Sequence, residues 1–216
     1  MSDLERRAAL HAALGDPLRL AIVEQLIYSD ASVSEVRTNL DIAGNLLAHH
    51  LDVLERAGLI ERRPSSGDHR RRYLHAVWPV AASIGTEPTA PPVDEPLFVC
   101  THNSARSQIA MALWRSRTGR PASSAGTRPA PSVHPLAVAA ARRAGLDLGG
   151  ATTTQLEPHG LAGRFVITVC DQAHEELSPG TSSLHWSVPD PVERGGRHAF
   201  DAALAELDRR VAILAT

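Results

Sequence analysis

The sequence predicts an α/β fold class for the C-terminal half, with a three-layer arrangement in which helices cover both faces of a parallel sheet. A smaller helical domain with a β-hairpin is expected before it. Helical periodicity dominates up to about residue 78, whereas short apolar runs alternate with helical patterns from residue 96 onward. Residues 79–95 are rich in Pro and Ala without apolar periodicity, which is typical of a linker, although an ordered loop packed on one domain is the alternative. We therefore expect domains at residues 1–78 and 96–216.

The composition excludes several classes of protein. The chain has 216 residues, of which 43% are hydrophobic, enough for ordinary cores. No apolar run approaches the roughly 20 residues that a membrane helix needs, and the N-terminus MSDLERRAAL is charged rather than signal-like, so we expect a cytoplasmic protein with no membrane partner. Two cysteines cannot form a disulfide framework. The net charge of -2 argues against general coating of nucleic acid but leaves room for local basic patches.

Helix signals follow one another in the N-terminal domain. Asp16, followed by a proline, is a typical N-cap, and Ser32 with Glu35 forms a capping box for a short helix. A third helix is predicted over residues 45–57. Two extended stretches then follow, LIERR and RRRYLHA, joined by the turn-rich PSSGDH. Helices followed by a basic hairpin are the order of a winged helix-turn-helix domain.

The N-terminal segments resemble the ArsR family of metalloid-responsive repressors over residues 5–78. The resemblance is carried by ALGDPLRLAIVEQL, SVSEVRTNL and LLAHHLDVLERAGLIERR. It implies a homodimer that places the third helix in the major groove of operator DNA and the wing beside the phosphate backbone. Arsenic-sensing members typically bind As(III) with thiolates in this unit, and this domain has no cysteine. Either the inducer is sensed elsewhere or this sensing has been lost.

The candidate DNA contacts lie on the third helix and on the wing. Asn45 and His49 point away from the apolar face of the helix, so they can reach base edges. The wing adds positive charge that can displace counterions from phosphates, through Arg70, Arg71 and Arg72. A solvated hairpin surface is the alternative explanation of the arginine run. His49 and His50 are adjacent on a helix and point in different directions, so no metal site is expected.

The C-terminal domain begins with an apolar run that ends on Cys100, at the carboxyl end of a predicted strand. A helix is predicted to begin near Ser104, and the free N–H groups of a helix N-terminus make an anion cradle that also favours thiolate over thiol. Arg106 adds a planar charged fork suited to a tetrahedral oxyanion. Ser107 can donate to the sulfur and Asn103 can hold the loop in an unusual backbone shape. The loop therefore suits a nucleophile that attacks an anionic centre.

Five segments from residue 96 to residue 215 resemble the low-molecular-weight protein tyrosine phosphatase fold, and more closely its arsenate reductase branch. They are VCTHNSARSQIAMALW, SSAGTRP, HPLAVAAARRAGLD, VITVCDQAHEE and HWSVPDP. The resemblance implies that Cys100 is the nucleophile and that Asp190 is the general acid which protonates the leaving oxygen. It also implies an oxyanion-binding loop that comprises Thr101, His102, Asn103, Ser104, Ala105, Arg106 and Ser107.

Two departures from the family pattern bear on the reaction. Aromatic residues usually follow the general acid of these phosphatases, but PVERGG follows Asp190, which leaves an aryl phosphate no platform; arsenate needs none. Cys170 occupies the position from which arsenate reductases attack the arsenic adduct, whereas the third cysteine of thioredoxin-coupled members is Leu177 here. From the residues alone, Cys170 is equally well a small buried hydrophobe.

The resemblance leaves the reductant open. Three possibilities follow. In the first, a low-molecular-weight thiol, with a glutaredoxin-type protein, resolves the adduct on Cys100. In the second, thioredoxin reduces a Cys100–Cys170 disulfide directly, and in the third, the domain binds arsenate without turnover. No bound cofactor or metal is expected. The sequence thus predicts an ArsR-type regulator fused to a thiol-dependent arsenate reductase. The alternatives are a regulator whose C-terminal domain only senses an oxyanion or a thiol state and, third, a protein tyrosine phosphatase.

Overall fold

The structure is a computed structural model that describes residues 2–77, 91–157 and 161–215. These residues divide into two compact units, one with residues 2–64 and 69–77 and the other with residues 65–68, 91–157 and 161–215. The predicted linker at residues 79–95 lies mostly outside the described residues, so the proposed domain boundaries stay a prediction. Within the described part of the chain, no helix is both long and apolar enough to cross a membrane.

The N-terminal unit packs helices against a small antiparallel sheet, in the strand order β1-β3-β2. Its elements are α1 (Asp3–Leu14), α2 (Pro17–Tyr28), β1 (Ala31–Ser32), α3 (Val33–Asn39), α4 (Gly44–Arg56), β2 (Ile60–Pro64) and β3 (Arg72–Ala76). The predicted helices and hairpin are confirmed. The two-residue β1, which pairs with β3, was not predicted.

Local capping explains where these helices begin. The Asp16 carboxylate accepts hydrogen bonds from the backbone N–H groups of Leu18 and Arg19, each at 3.0 Å. At the start of α3, the Ser32 hydroxyl accepts from the Glu35 backbone, and the Glu35 carboxylate accepts from the Ser32 backbone. Apolar side chains from α2, α4 and the sheet then form the core, which includes Ile22, Leu26, Leu47, Leu51, Leu54 and Tyr73.

The C-terminal unit is built on a parallel sheet in the order β5-β4-β6-β7. Its elements are β4 (Leu97–Cys100), α5 (Arg106–Thr118), β5 (Ser123–Gly126), α6 (Pro135–Arg143), β6 (Val166–Thr168), α7 (Asp171–Glu176), β7 (Leu184–His185), α8 (Pro191–Arg194) and α9 (Gly196–Leu214). Helix α5 packs on β4 and β5, α7 packs on β4 and β6, and α9 packs on α5 and α6. This arrangement confirms the predicted α/β fold class.

Two boundaries near the candidate site differ from expectation. The helix predicted from Ser104 begins at Arg106, because the preceding residues curve into a loop in which Asn103 adopts a φ of 48°. The apolar run VITVC forms a strand only as far as Thr168, and its last residue, Cys170, is the N-cap of α7.

Candidate functional site

The loop between β4 and α5 surrounds the sulfur of Cys100 with polar donors. Cys100 is 2% exposed at the end of the central strand β4. The backbone N–H of Asn103 donates to Sγ at 3.2 Å, and the Ser107 hydroxyl lies 3.1 Å from the same sulfur. Helix α5 begins directly behind the loop, so its dipole points a partial positive charge toward the sulfur. This geometry directs a backbone donor and the N-terminus of a helix toward Cys100.

Asn103 is the centre of the hydrogen bonds that hold the loop. Its Nδ2 donates to the hydroxyls of Ser107 at 2.8 Å and Ser124 at 3.0 Å. Its Oδ1 accepts from Gln108 Nε2 at 3.0 Å and from the Thr154 backbone at 2.8 Å. These four bonds stabilise a positive φ that costs energy in a residue other than glycine. The loop therefore has its shape before any anion arrives.

Gly126 lets strand β5 approach this loop closely. A Cβ at Gly126 would lie 2.7 Å from the Thr101 carbonyl oxygen and 3.0 Å from both the backbone nitrogen and the Cβ of Asn103. The backbone N–H of Arg128 donates to that same carbonyl at 2.8 Å. The absence of a side chain at Gly126 thus allows β5 to support the loop from behind.

Arg106 turns inward and is 5% exposed. Its Nη1 donates to the Val188 carbonyl at 2.9 Å, and its Nη2 donates to Asp190 Oδ2 at 2.5 Å. Burial disfavours the positive charge of the guanidinium and by itself would lower its pKa. The neighbouring acidic groups outweigh burial and raise this pKa above its usual value. In order of effect, these groups are Cys170, Cys100, Asp190 and Asp171. Arg106 is therefore a permanent cation beside the loop.

Asp190 connects the guanidinium to the start of α8. One carboxylate oxygen accepts from Arg106, and the other accepts from the Val192 backbone at 2.8 Å. The side chain is 13% exposed. No aromatic residue occurs in α8, where the large exposed side chain is Val192. The general-acid candidate thus lies beside Arg106, without the ring platform that usually follows it in phosphatases of this fold.

Cys170 lies against the same loop. Its Sγ is 3.4 Å from the Thr101 hydroxyl, and the Ala173 backbone N–H donates to it at 3.4 Å. Burial raises the pKa of the Cys170 thiol, against the opposing effects of Arg106 and of these two hydrogen bonds. Both Cys100 and Cys170 are buried and free. Thr101, which follows Cys100 in the chain, therefore contacts the sulfur of Cys170.

A buried contact between Asp171 and His185 was not expected from the sequence. His185 Nε2 lies 3.2 Å from Asp171 Oδ1, and the two side chains are 2% and 4% exposed. Burial disfavours the Asp171 carboxylate, but the hydrogen bond and the charge of His185 outweigh burial and lower its pKa to about 2. No spacing in the sequence connects His185 with Asp171, so sequence reasoning did not find this pair. In the described ranges no group of three or more potential metal ligands occurs.

The DNA-binding candidates lie on the surface of the N-terminal unit. Asn45 and His49 are exposed on α4, as are three arginines that begin or precede β3, namely Arg70, Arg71 and Arg72. Arg62 forms ion pairs at 3.2 Å with Asp52 and with Glu55, which offset its positive charge. His102, in the other unit, is exposed in the loop after Cys100.

The fold and the loop define the class of the C-terminal unit. Residues 96–216 match the family model described as low molecular weight phosphotyrosine protein phosphatase, and because this is more than half of the chain, the chain belongs to that family. Residues 14–63 match a helix-turn-helix domain model. A DNA-binding type of domain therefore precedes a phosphatase-fold domain in one chain.

Individual proteins with similar sequences or structures give a more specific comparison than the family model. The chain is 34% identical over 105 residues to an arsenate reductase of Bacillus licheniformis, covering 46% of this chain and 75% of the relative. It is 32% identical over 101 residues to an arsenate reductase of Staphylococcus xylosus, covering 44% and 76%. The tyrosine phosphatase Wzb from Escherichia coli K30, in complex with sulphate, superposes with a TM-score of 0.52 at 22% identity, over 57% of this chain and 97% of that one. The last comparison confirms the fold alone.

Proposed function

We propose that this protein is an ArsR-type transcriptional regulator fused to a thiol-dependent arsenate reductase. One observation carries the enzymatic half: the buried Arg106 is held beside the Cys100 loop by Asp190, while Cys170 contacts that same loop through Thr101. A nucleophile, an oxyanion-binding cation, a proton donor and a second thiol are thereby gathered at one edge of the sheet. The identity to arsenate reductases supports the choice of arsenate.

In the first step the Cys100 thiolate attacks the arsenic of a bound arsenate. Arg106 and the loop N–H groups hold the oxygens, and the Asn103 N–H and Ser107 hydroxyl stabilise the thiolate. Asp190 takes up the proton that Cys100 releases when its thiolate forms and passes it to an arsenate hydroxyl, which leaves as water as the S–As bond forms. Arsenic remains As(V) in this adduct.

In the second step another thiolate attacks the Cys100 sulfur. An S–S bond forms, the S–As bond breaks, and its electron pair stays on arsenic, which leaves as As(III). Two thiols are thereby oxidised and arsenic gains two electrons. Cys170 supplies the second thiolate if thioredoxin then reduces a Cys100–Cys170 disulfide; otherwise an external low-molecular-weight thiol, with a glutaredoxin-type protein, attacks directly. Leu177, at the place of a third cysteine, excludes the three-thiol relay.

Operator DNA is the proposed partner of the N-terminal unit, with a homodimer as the binding species in the cytoplasm. The exposure of Asn45 and His49 on α4 supports base contacts, and the arginine run supports phosphate contacts. Leu4 on α1 is 74% exposed, which supports a second copy of the chain as its cover.

The reductase proposal is tested with purified protein, arsenate and two reducing systems, one of glutathione with glutaredoxin and one of thioredoxin with its reductase. Formation of As(III) with one system, abolished by Cys100→Ser, is the expected result. Cys170→Ser is the matched variant: it retains turnover if an external thiol resolves the adduct and loses it if Cys170 does. Absence of As(III) with both systems contradicts the enzymatic half.

The second candidate is a regulator that only senses an oxyanion or a thiol state. The occurrence of a helix-turn-helix domain and a phosphatase-fold domain in one chain favours it, as does Leu177. Arsenate-dependent or As(III)-dependent release of a DNA fragment selected from a random library, without turnover, would establish this function. The third candidate, a tyrosine phosphatase, requires efficient hydrolysis of an aryl phosphate, which the lack of an aromatic residue in α8 disfavours.

A further inference from the structure

Asp171 is a second buried carboxylate close to the cationic arginine. It follows Cys170 directly, and the Ser187 side chain hydrogen-bonds to it. The next residue after Ser187, Val188, accepts the Nη1 hydrogen bond of Arg106. Asp171 is also among the groups whose charge acts on Arg106. An anion that enters the Cys100 loop therefore meets the field of this carboxylate as well as that of Asp190.

His185 is placed to cancel that charge. Its Nε2 faces Asp171 Oδ1 at 3.2 Å, and because an ionised carboxylate only accepts, Nε2 carries a proton. Its Nδ1 lies 3.0 Å from the Thr168 hydroxyl, which also approaches the Leu184 carbonyl at 3.4 Å. When that hydroxyl donates to Leu184, its oxygen can accept from a protonated Nδ1, so these contacts accommodate an imidazolium.

His174 is another titratable group that faces this ring. It stacks on His185 with centroids 4.1 Å apart, and its own Nδ1 lies 3.1 Å from the Ser182 hydroxyl and 3.2 Å from the Thr168 hydroxyl. A charged His185 therefore lies against a second imidazole ring as well as against the Asp171 carboxylate.

We propose that His185 is a positioning residue for the oxyanion site: its imidazolium neutralises Asp171, so that the positive charge of Arg106 is kept for the bound anion. The proposal rests on the proposed oxyanion site at Cys100 but not on arsenate turnover. An uncompensated charge at an effective dielectric constant of about 20 changes the affinity for a multiply charged anion by roughly tenfold or more. His185 would thus set the affinity of the pocket without touching its ligand.

The test compares His185→Gln, Asp171→Asn and the double variant with the parent protein. Inorganic phosphate is the probe, and its dissociation constant is measured by the protection of Cys100 from iodoacetamide, with the Cys100 peptide quantified separately from that of Cys170 by mass spectrometry. Gln retains a hydrogen-bond donor to Asp171 but no charge. We expect His185→Gln to weaken phosphate binding roughly tenfold, Asp171→Asn to bind at least as tightly as the parent, and the double variant to recover parental affinity.

A purely structural role predicts a different pattern, in which both single variants weaken binding and the double variant is no better. That pattern, or parental affinity in His185→Gln, would overturn the proposal. A second measurement needs no variant: nitrogen-15 chemical shifts of labelled histidine in the parent protein at pH 7 should report His185 with both nitrogens protonated. A neutral tautomer would overturn it equally. Failure of arsenate reduction with this binding pattern intact would remove the reductase proposal and leave the inference standing.

Discussion

Adding one methyl group at Gly126 should disturb the anion loop more than its size suggests. In Gly126→Ala the new Cβ would lie 2.7 Å from the Thr101 carbonyl oxygen and 3.0 Å from two atoms of Asn103, closer than real Cβ contacts allow. The obstructing atoms are mainly backbone, and Gly126 is in register with Cys100 across the paired strands, so no side-chain rotation relieves the contact. The loop must move away from β5.

The magnitude follows from the cost of overpacking, about 1–3 kcal/mol. At about 4 °C per kcal/mol the Tm of the C-terminal unit should fall by roughly 4–12 °C. Movement of Asn103 also withdraws its N–H from the Cys100 sulfur, so phosphate affinity should fall roughly tenfold, which corresponds to about 1.4 kcal/mol. Thermal unfolding with and without inorganic phosphate measures both the Tm of the C-terminal unit and its phosphate affinity. The unfolding transition whose Tm rises with phosphate belongs to the unit that binds phosphate.

Gly119→Ala is the matched control. Gly119 has a φ of +67° at the end of α5, and a Cβ there meets nothing within 4 Å. The substitution should cost about 1 kcal/mol of backbone strain and leave phosphate affinity unchanged. If Gly126→Ala binds phosphate as tightly as the parent, β5 does not support the loop, and the reasoning that connects this contact to the anion site is refuted.

Three further results are expected. Asp16→Ala should lower the free energy of unfolding of the N-terminal unit by about 1 kcal/mol in urea, because two backbone N–H groups lose their acceptor, whereas Asp16→Ser should retain most of it; equal loss in both would contradict the capping role. The pKa of Asp171 is lowered to about 2 in the folded protein. Its ionised carboxylate therefore contributes about 2 kcal/mol to the free energy of unfolding above pH 4, and this contribution is lost as the pH falls toward 2. Asp171→Asn should flatten the fall in stability over that pH range, and an unchanged fall would refute the reasoning. Arg72→Ala should reduce the slope of log affinity against log salt for DNA by about 0.9, and a constant slope would show that this arginine contacts no phosphate.

Sequence reasoning succeeded where the signal is local. The Asp16 cap and the Ser32–Glu35 box lie within three residues of their partners, and the structure forms both. The alternation of apolar runs and helical patterns likewise predicted the parallel sheet. The Cys100 loop belongs to the same group, because Cys100, Asn103 and Ser107 are close in the chain and a helix follows them.

Long-range partners were beyond the reach of periodicity. His185 lies on a two-residue strand and meets Asp171 only because β7 pairs with β6, so nothing in the local sequence indicates a buried ion pair. Helix α7 was missed for a related reason: it has six residues, and among its apolar positions only Ala173 is buried, which gives no helical stripe. Family resemblance implied a role for Arg106 and a role for Asp190, but the hydrogen bond between them, across 84 positions, was not predicted.

The hydrogen bonds that fix the shape of the Cys100 loop have a consequence for the competition between phosphate and arsenate inside a cell. A cradle fixed by the bonds of Asn103 presents the same donors to any tetrahedral guest of similar radius and charge, so phosphate and arsenate should occupy it almost equally. In the proposed reductase, discrimination then comes after docking, because the electron pair of the S–As bond reduces As(V) to As(III), whereas thiols do not reduce phosphate. Throughput would be governed by the ratio of the two oxyanions rather than by the amount of arsenate alone.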